Sequence, residues 1–195
     1  MRKGRIEAFS DGVLAIIVTI MVLELKVPEG AECKDLSALI PKFLSYVLSF
    51  MMVLIYWNNH HHMFQTVKKV DGKILLANGA LLFFLSLLPF ATAWMGETHF
   101  RSTPVALMGI VLLLSGTAYL LLVKTIVDSH GQDSILANAI GTDYKGNISW
   151  IGYLVGIFLS RSYPQVSAAI YLVIALMWFI PDKRIERLMH DETTE

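Results

Sequence analysis

The stretch Arg5-Ile6-Glu7-Ala8-Phe9-Ser10-Asp11 runs without a break into Gly12-Val13-Leu14-Ala15-Ile16-Ile17-Val18-Thr19-Ile20-Met21-Val22-Leu23, and its reading decides the fold. It puts a carboxylate about two helical turns inside an apolar segment long enough to cross a bilayer. A charged side chain at mid-membrane costs about 3 kcal/mol even on the lenient insertion scale, so it is kept where it is paired or faces a pathway. A helix that carries such a group beside Ser10, followed by a clean run of isoleucine, threonine and leucine, is expected to line a path rather than act only as an anchor.

The rest of the chain agrees. Its 195 residues are 55% hydrophobic and 16% charged, with a mean hydropathy of +0.57, too apolar for a soluble domain. Six apolar runs are drawn as membrane spans, at residues 6–25, 36–64, 73–95, 104–127, 148–160 and 164–180, and they leave little sequence for a soluble domain. The fifth, at about 13 to 16 residues, is tilted, buried in protein or extended by its flanks. The fold class is therefore an all-α integral membrane protein, read as one domain over residues 1–195. Connections are short, with turn chemistry at Pro28-Glu29-Gly30, Asp71-Gly72 and Gly141 to Gly146. The polar stretch Asp128 to Asn147 is read as an inner loop with room for a short helix, and Asp182 to Glu195 as a solvated helical end.

Orientation follows from lysine and arginine. With the N-terminus inside, inner segments hold Arg2, Lys3, Arg5, Lys68, Lys69, Lys73, Lys124, Lys145, Lys183, Arg184 and Arg187, and outer ones Lys26, Lys34, Lys42, Arg101 and Arg161. That bias places both termini in the cytoplasm. No basic cluster interleaved with aromatics marks a nucleic-acid surface. Glu7 and Asp11 within the first apolar run argue against a cleaved secretory signal. Cys33 is the only cysteine and makes no intramolecular disulfide.

On an ideal helix Ile16, Ile20 and Leu23 lie within about 60° of one another, with Thr19 beside them, while Asp11 points about 140° from Ile16. The first helix thus has an aliphatic stripe with a hydroxyl and a separate polar face. The second span ends in Tyr56-Trp57-Asn58-Asn59-His60-His61-His62, a dense polar run that needs partners. Counting inward from Arg5 to Asp11 and from Lys68 to His62 gives about 9 Å of depth in each case, so the aspartate and this cluster can meet in one layer. Donors from imidazole, amide or indole would leave the carboxylate paired. Neighbouring helical histidines point about 100° apart, so His60, His61 and His62 do not converge on one metal ion, and no metal or other cofactor is expected.

The pattern R-x-x-x-F-S-D formed by Arg5, Phe9, Ser10 and Asp11, opening the first of six spans, resembles the signature of the endosomal and lysosomal potassium channels named transmembrane protein 175, and the run to Pro28 looks like their bacterial branch. That resemblance implies a single-repeat homotetramer with the first helix of each chain around a central pore. It implies a hydrophobic constriction at Ile16, five residues after the signature aspartate, with further pore-facing layers at Ile20 and Leu23 and Thr19 as their polar neighbour. It also implies a network between the first two helices built from Arg5, Phe9, Ser10, Asp11 and Trp57 with Asn58, His60 or His61. The function so implied is a passive, potassium-permeable cation channel in the plasma membrane of a bacterium or archaeon. The chain has no T-V-G-Y-G-like filter. An apolar collar would control conduction by wetting and discriminate among cations by the cost of partial dehydration. Glu24, a turn above the stripe, is read either as a cation-concentrating group at the outer mouth or as a packed or loop-facing residue.

A rival reading is a proton-coupled secondary transporter in which Asp11 and His60 to His62 form a relay; it would favour broken helices and internal repeats, neither evident in the sequence. An enzyme would need convergent catalytic groups. No H-E-x-x-H or G-x-S-x-G occurs, and Cys33 is isolated.

Overall fold

The structure is a computed structural model that describes residues 3–28, 30–131, 134, 136–137 and 144–179. All its regular elements among those residues are helices: α1 (Lys3–Leu23), α2 (Cys33–Ser37), α3 (Ile40–Gln65), α4 (Gly72–Leu85), α5 (Leu88–Glu97), α6 (Ser102–His130), α7 (Tyr144–Leu159) and α8 (Pro164–Phe179). Among the described residues four stretches are long and apolar enough to cross a membrane: Lys3–Leu23, Ile40–Gln65, Gly72–Glu97 and Ser102–His130. The last two helices, of 16 residues each, are shorter.

Local chemistry sets the boundaries. Pro41 opens α3, where a missing N–H costs nothing, and Asp71 caps α4 by accepting from the Ile74 amide at 2.9 Å. The third span, expected unbroken over 73–95, is interrupted between Leu85 and Leu88. Pro89 cannot donate to the Leu85 carbonyl, and the chain tightens there through Leu87 N–H to Phe84 O at 3.2 Å. The α5–α6 turn has no glycine, and His99 and Phe100 both take positive φ (53° and 58°), a conformation stabilised by the Phe100 amide donating to Met95 O at 3.0 Å. The loop expected over Asp128 to Asn147 is shorter, because α6 runs on to His130 and α7 begins at Tyr144; most of the residues between, where a short helix is expected, and the tail from Asp182 fall outside the described residues.

The ends of the helices are tied in register. Lys3 Nζ donates to the Gln65 carbonyl at 3.2 Å, and Ser129 Oγ donates to Asp71 Oδ2 at 3.2 Å, so the start of α1, the end of α3, the start of α4 and the end of α6 share one face. At the opposite face Lys42 pairs with Glu97 at 3.2 Å. Between them α1 packs on α3, α4 and α5, α4 packs on α6, and α7 joins α6 to α8. In lipid such packing rests on close approach of small residues rather than on water exclusion. Tyr171 is fully buried where Gly109 and Gly156 leave room: a β-carbon at either would collide with its ring or hydroxyl.

Candidate functional site

The site is built on α1. Ile6, Ser10, Leu14, Ile17 and Met21 face inward, the helical row that the 3.6-residue period puts on one side. Opposite lie Phe9 (63% exposed), Ile16 (58%), Ile20 (44%) and Leu23 (74%), one uncovered row along the helix. Thr19 is exposed beside them, and its hydroxyl donates to the Ile16 carbonyl at 2.9 Å. With its proton so engaged, the Thr19 oxygen keeps lone pairs for an outside donor or cation. Asp11 is also exposed, about 140° round the helix from Ile16 and so at the far edge of the open side.

Asp11 accepts from Trp57 Nε1 at 3.0 Å, the meeting of α1 with the end of α3 that the depth count anticipates. The Trp57 indole stacks on His61 (6.2 Å, 20°), and His61 Nε2 lies 2.9 Å from Gln65 Nε2. His60 goes elsewhere. It is buried, stacks on Phe64 at 4.4 Å, and its Nε2 lies 2.8 Å from Asn78 Oδ1, while Asn78 Nδ2 donates to Ser10 Oγ at 3.0 Å and Ser10 in turn to the Ile6 carbonyl at 2.8 Å. Since an amide oxygen only accepts, His60 carries its proton on Nε2. The layer therefore consists of two separate chains of bonds, Trp57 to Asp11 and His60 to Asn78 to Ser10.

Asn78 is the residue that the sequence reading missed. It sits in the middle of the apolar run Ile74 to Leu85 and is 2% exposed; an amide in such a run is itself the signal. Arg5 is exposed, Asn58 is half-buried, and neither side chain makes a hydrogen bond or ion pair among the described residues. Phe9 joins the exposed row rather than the polar layer. His62 Nδ1 is buried with no hydrogen-bond partner among the described residues. The three histidines diverge as helical geometry requires, towards Asn78, towards Gln65, and into a buried position.

Next to Asp11 a groove of about 360 Å³ opens between α1 and α3, lined by Leu14, Ala15, Val18, Thr19, Phe50, Val53, Leu54 and Trp57. Higher along the same two helices a second polar contact ties in α5: the Thr92 hydroxyl lies 2.5 Å from that of Ser49 and 2.6 Å from the Leu88 carbonyl to which it donates. Glu24 is half-buried and lines a small cavity with Lys42, Tyr46 and Glu97. Outside the spans, Asp71 is held below the usual carboxylate range, chiefly by the amide of Ile74 that it accepts from.

A bundle of long apolar helices with a polar layer across its interior and a carboxylate on an open flank defines a multi-pass membrane protein. The profile of the family described as endosomal/lysosomal potassium channel TMEM175 matches residues 5–89, which hold the signature, the exposed row and the polar layer. A potassium channel of Chryseobacterium sp. (strain P1-3) is 55% identical over 191 residues, covering 98% of this chain and all of the relative. A crystal structure of a lysosomal potassium-selective channel TMEM175 homolog from Chamaesiphon minutus superposes with a TM-score of 0.78 at 30% identity, covering 92% of this chain and 97% of that one. The human endosomal/lysosomal proton channel TMEM175 is 38% identical over 103 residues, 47% of this chain and 20% of its own length. The chain belongs to the TMEM175 family of ion channels, and it is not an enzyme.

Proposed function

We propose that the chain is a passive, potassium-permeable cation channel of a bacterial or archaeal plasma membrane. In this reading residues 1–195 form one six-span domain with both termini cytoplasmic, and four copies surround a pore lined by α1. The observation that carries the proposal is the open arc of α1. It runs from Asp11 to the row of Ile16, Ile20 and Leu23, about half the helix circumference. Lipid would tolerate the isoleucines but not a carboxylate on the same open side, so the arc must meet protein and water. A neighbouring subunit on the Asp11 and Ala15 flank, over the α1–α3 groove, leaves the Ile16 row facing the four-fold axis.

Four Ile16 side chains there form an apolar collar, with Ile20 about 6 Å and Leu23 about 10 Å further along the axis. A narrow collar of this kind holds water poorly, so a small rotation or tilt of α1 switches conduction through wetting. Without a carbonyl filter, selectivity rests on the cost of stripping part of the hydration shell, smaller for potassium than for sodium. The free lone pairs of Thr19, beside the collar, offset part of that cost. The polar layer seats α1 against α3 and α4 and so fixes where the row points. The permeant ion is the only small-molecule partner, and no cofactor takes part.

The alternative is a proton-coupled secondary transporter that uses Asp11 and His60 to His62, and the name of the human relative keeps protons in view. The separation of the Trp57–Asp11 bond from the His60–Asn78–Ser10 chain speaks against a continuous relay. Potassium efflux from liposomes, with the proton gradient collapsed by a protonophore, decides between them. Flux that persists and is not stoichiometrically tied to protons supports the channel, and flux that stops with the proton gradient supports the transporter. Mass measurement in nanodiscs tests the tetramer.

A further inference from the structure

We propose that His130 is a pH-sensitive latch between the end of α6 and the loop that joins α3 to α4, closed when its imidazole is neutral and opened by protonation. His130 Nδ1 lies 3.0 Å from the Ile126 carbonyl, and a carbonyl only accepts, so the ring proton sits on Nδ1. His130 Nε2 receives the backbone N–H of Lys68 at 3.1 Å and of Lys69 at 3.2 Å. Both partners only donate, so Nε2 is a bare lone pair. The two sets of bonds together select one protonation state and one tautomer. A second proton would occupy the lone pair and turn Nε2 into a third donor aimed at two others, so the contact must open.

What the latch holds is specific. The loop it clamps buries Val67 and Val70 (3% exposed each) and ends at Asp71, which caps α4 and accepts from Ser129, the residue before His130. Two turns into α4 stands Asn78, which holds Ser10 of α1 and His60 of α3. Releasing the loop therefore loosens the start of the helix that seats α1. The charged and titratable groups carried by the elements that meet here are Lys68, Lys69 and Asp71 on the loop, Lys73 on α4, Lys124 and Asp128 on α6, His62 on the last turn of α3 and Lys145 at the start of α7. Lys68 and Lys69 oppose a second positive charge, and Asp71 and Asp128 favour it. Acidification on the face that carries the start of α1 is the condition that supplies the second proton.

The test reads the latch directly and does not depend on the channel assignment. The full chain in nanodiscs, labelled with nitrogen-15 in histidine, is expected to show His130 protonated on Nδ1 and bare on Nε2 at pH 8, and doubly protonated at pH 5. Over the same range, after correction for intrinsic exchange, protection of the Lys68 and Lys69 amides is expected to fall by roughly tenfold or more, the effect of losing two hydrogen bonds. His130→Gln supplies a side-chain oxygen that accepts at both pH values, and its loop should keep its protection throughout. A proton on Nε2 at pH 8, protection unchanged in the wild type between pH 8 and pH 5, or the same acid loss in His130→Gln would each overturn the proposal. The tautomer of the wild type decides even if the variant does not fold.

Discussion

Asn78→Leu keeps the volume of a buried side chain and removes the only groups that, among the described residues, hydrogen-bond α4 to both α1 and α3 in the polar layer. Two interhelical hydrogen bonds disappear, to Ser10 at 3.0 Å and to His60 at 2.8 Å, each worth about 0.6 kcal/mol in membrane proteins. Ser10 keeps its bond to Ile6, but the His60 N–H is left in a pocket where the residue is 2% exposed, a further penalty of about 1 to 3 kcal/mol. The expected total is roughly 2 to 4 kcal/mol. His60→Phe keeps the stacking on Phe64 and removes the orphaned donor, so the double variant should be more stable than the sum of the single losses predicts, with a coupling of about 1 to 3 kcal/mol. Equilibrium unfolding in mixed micelles measures all four corners of this cycle. A loss below about 0.5 kcal/mol for Asn78→Leu, or losses that simply add, would refute the claim that this amide organises the layer.

Trp57→Phe keeps the ring beside His61 but deletes the donor to Asp11, and is expected to cost about 1 kcal/mol in the same assay. Gly109→Ala and Gly156→Ala should each destabilise by about 1 to 3 kcal/mol by overpacking against Tyr171. Tyr171→Phe should recover part of the first, where the hydroxyl is the nearest atom, and less of the second, where the ring is. The Asp71 carboxyl sits below its ordinary range, so its cap contributes fully above the ordinary carboxylate range near pH 4 and is lost as pH falls through the lowered folded value. Exchange of the Ile74 amide should accelerate across that acid window in the wild type. It should not do so in Asp71→Asn, where an uncharged amide oxygen still caps.

Much of this was legible in the chain because the membrane permits few solutions. Apolar length marked the four stretches that are long enough to cross a membrane among the described residues, and a carboxylate two turns inside the first marked a helix with an exposed polar side. Equal depth counts from Arg5 and Lys68 brought α1 and α3 together at the layer where Asp11 meets Trp57. Helical azimuths put Ile16, Ile20 and Leu23 in one row, and the row is uncovered. The break at Leu85 to Leu88 was not read, although Pro89 carries it, because the hydropathy runs on unchanged across the proline. The partner of His60 is not legible either, because a single asparagine on another helix carries no mark of which side chain it meets. Which of several donors reaches a given acceptor depends on the relative rotation of three helices, and no single segment encodes that rotation. The same holds for His130, whose partners are backbone amides of the loop and leave no mark on side-chain pattern.

The most direct test of the account is potassium flux into liposomes for wild type and Ile16→Asn, with sodium and a large organic cation for comparison. If Ile16 forms the collar, the amide wets it: flux rises, by about tenfold if the constriction contributes as little as 1.4 kcal/mol to the barrier, and the preference among cations blurs. A folded Ile16→Asn protein with unchanged flux and unchanged preference would remove α1 from the pore.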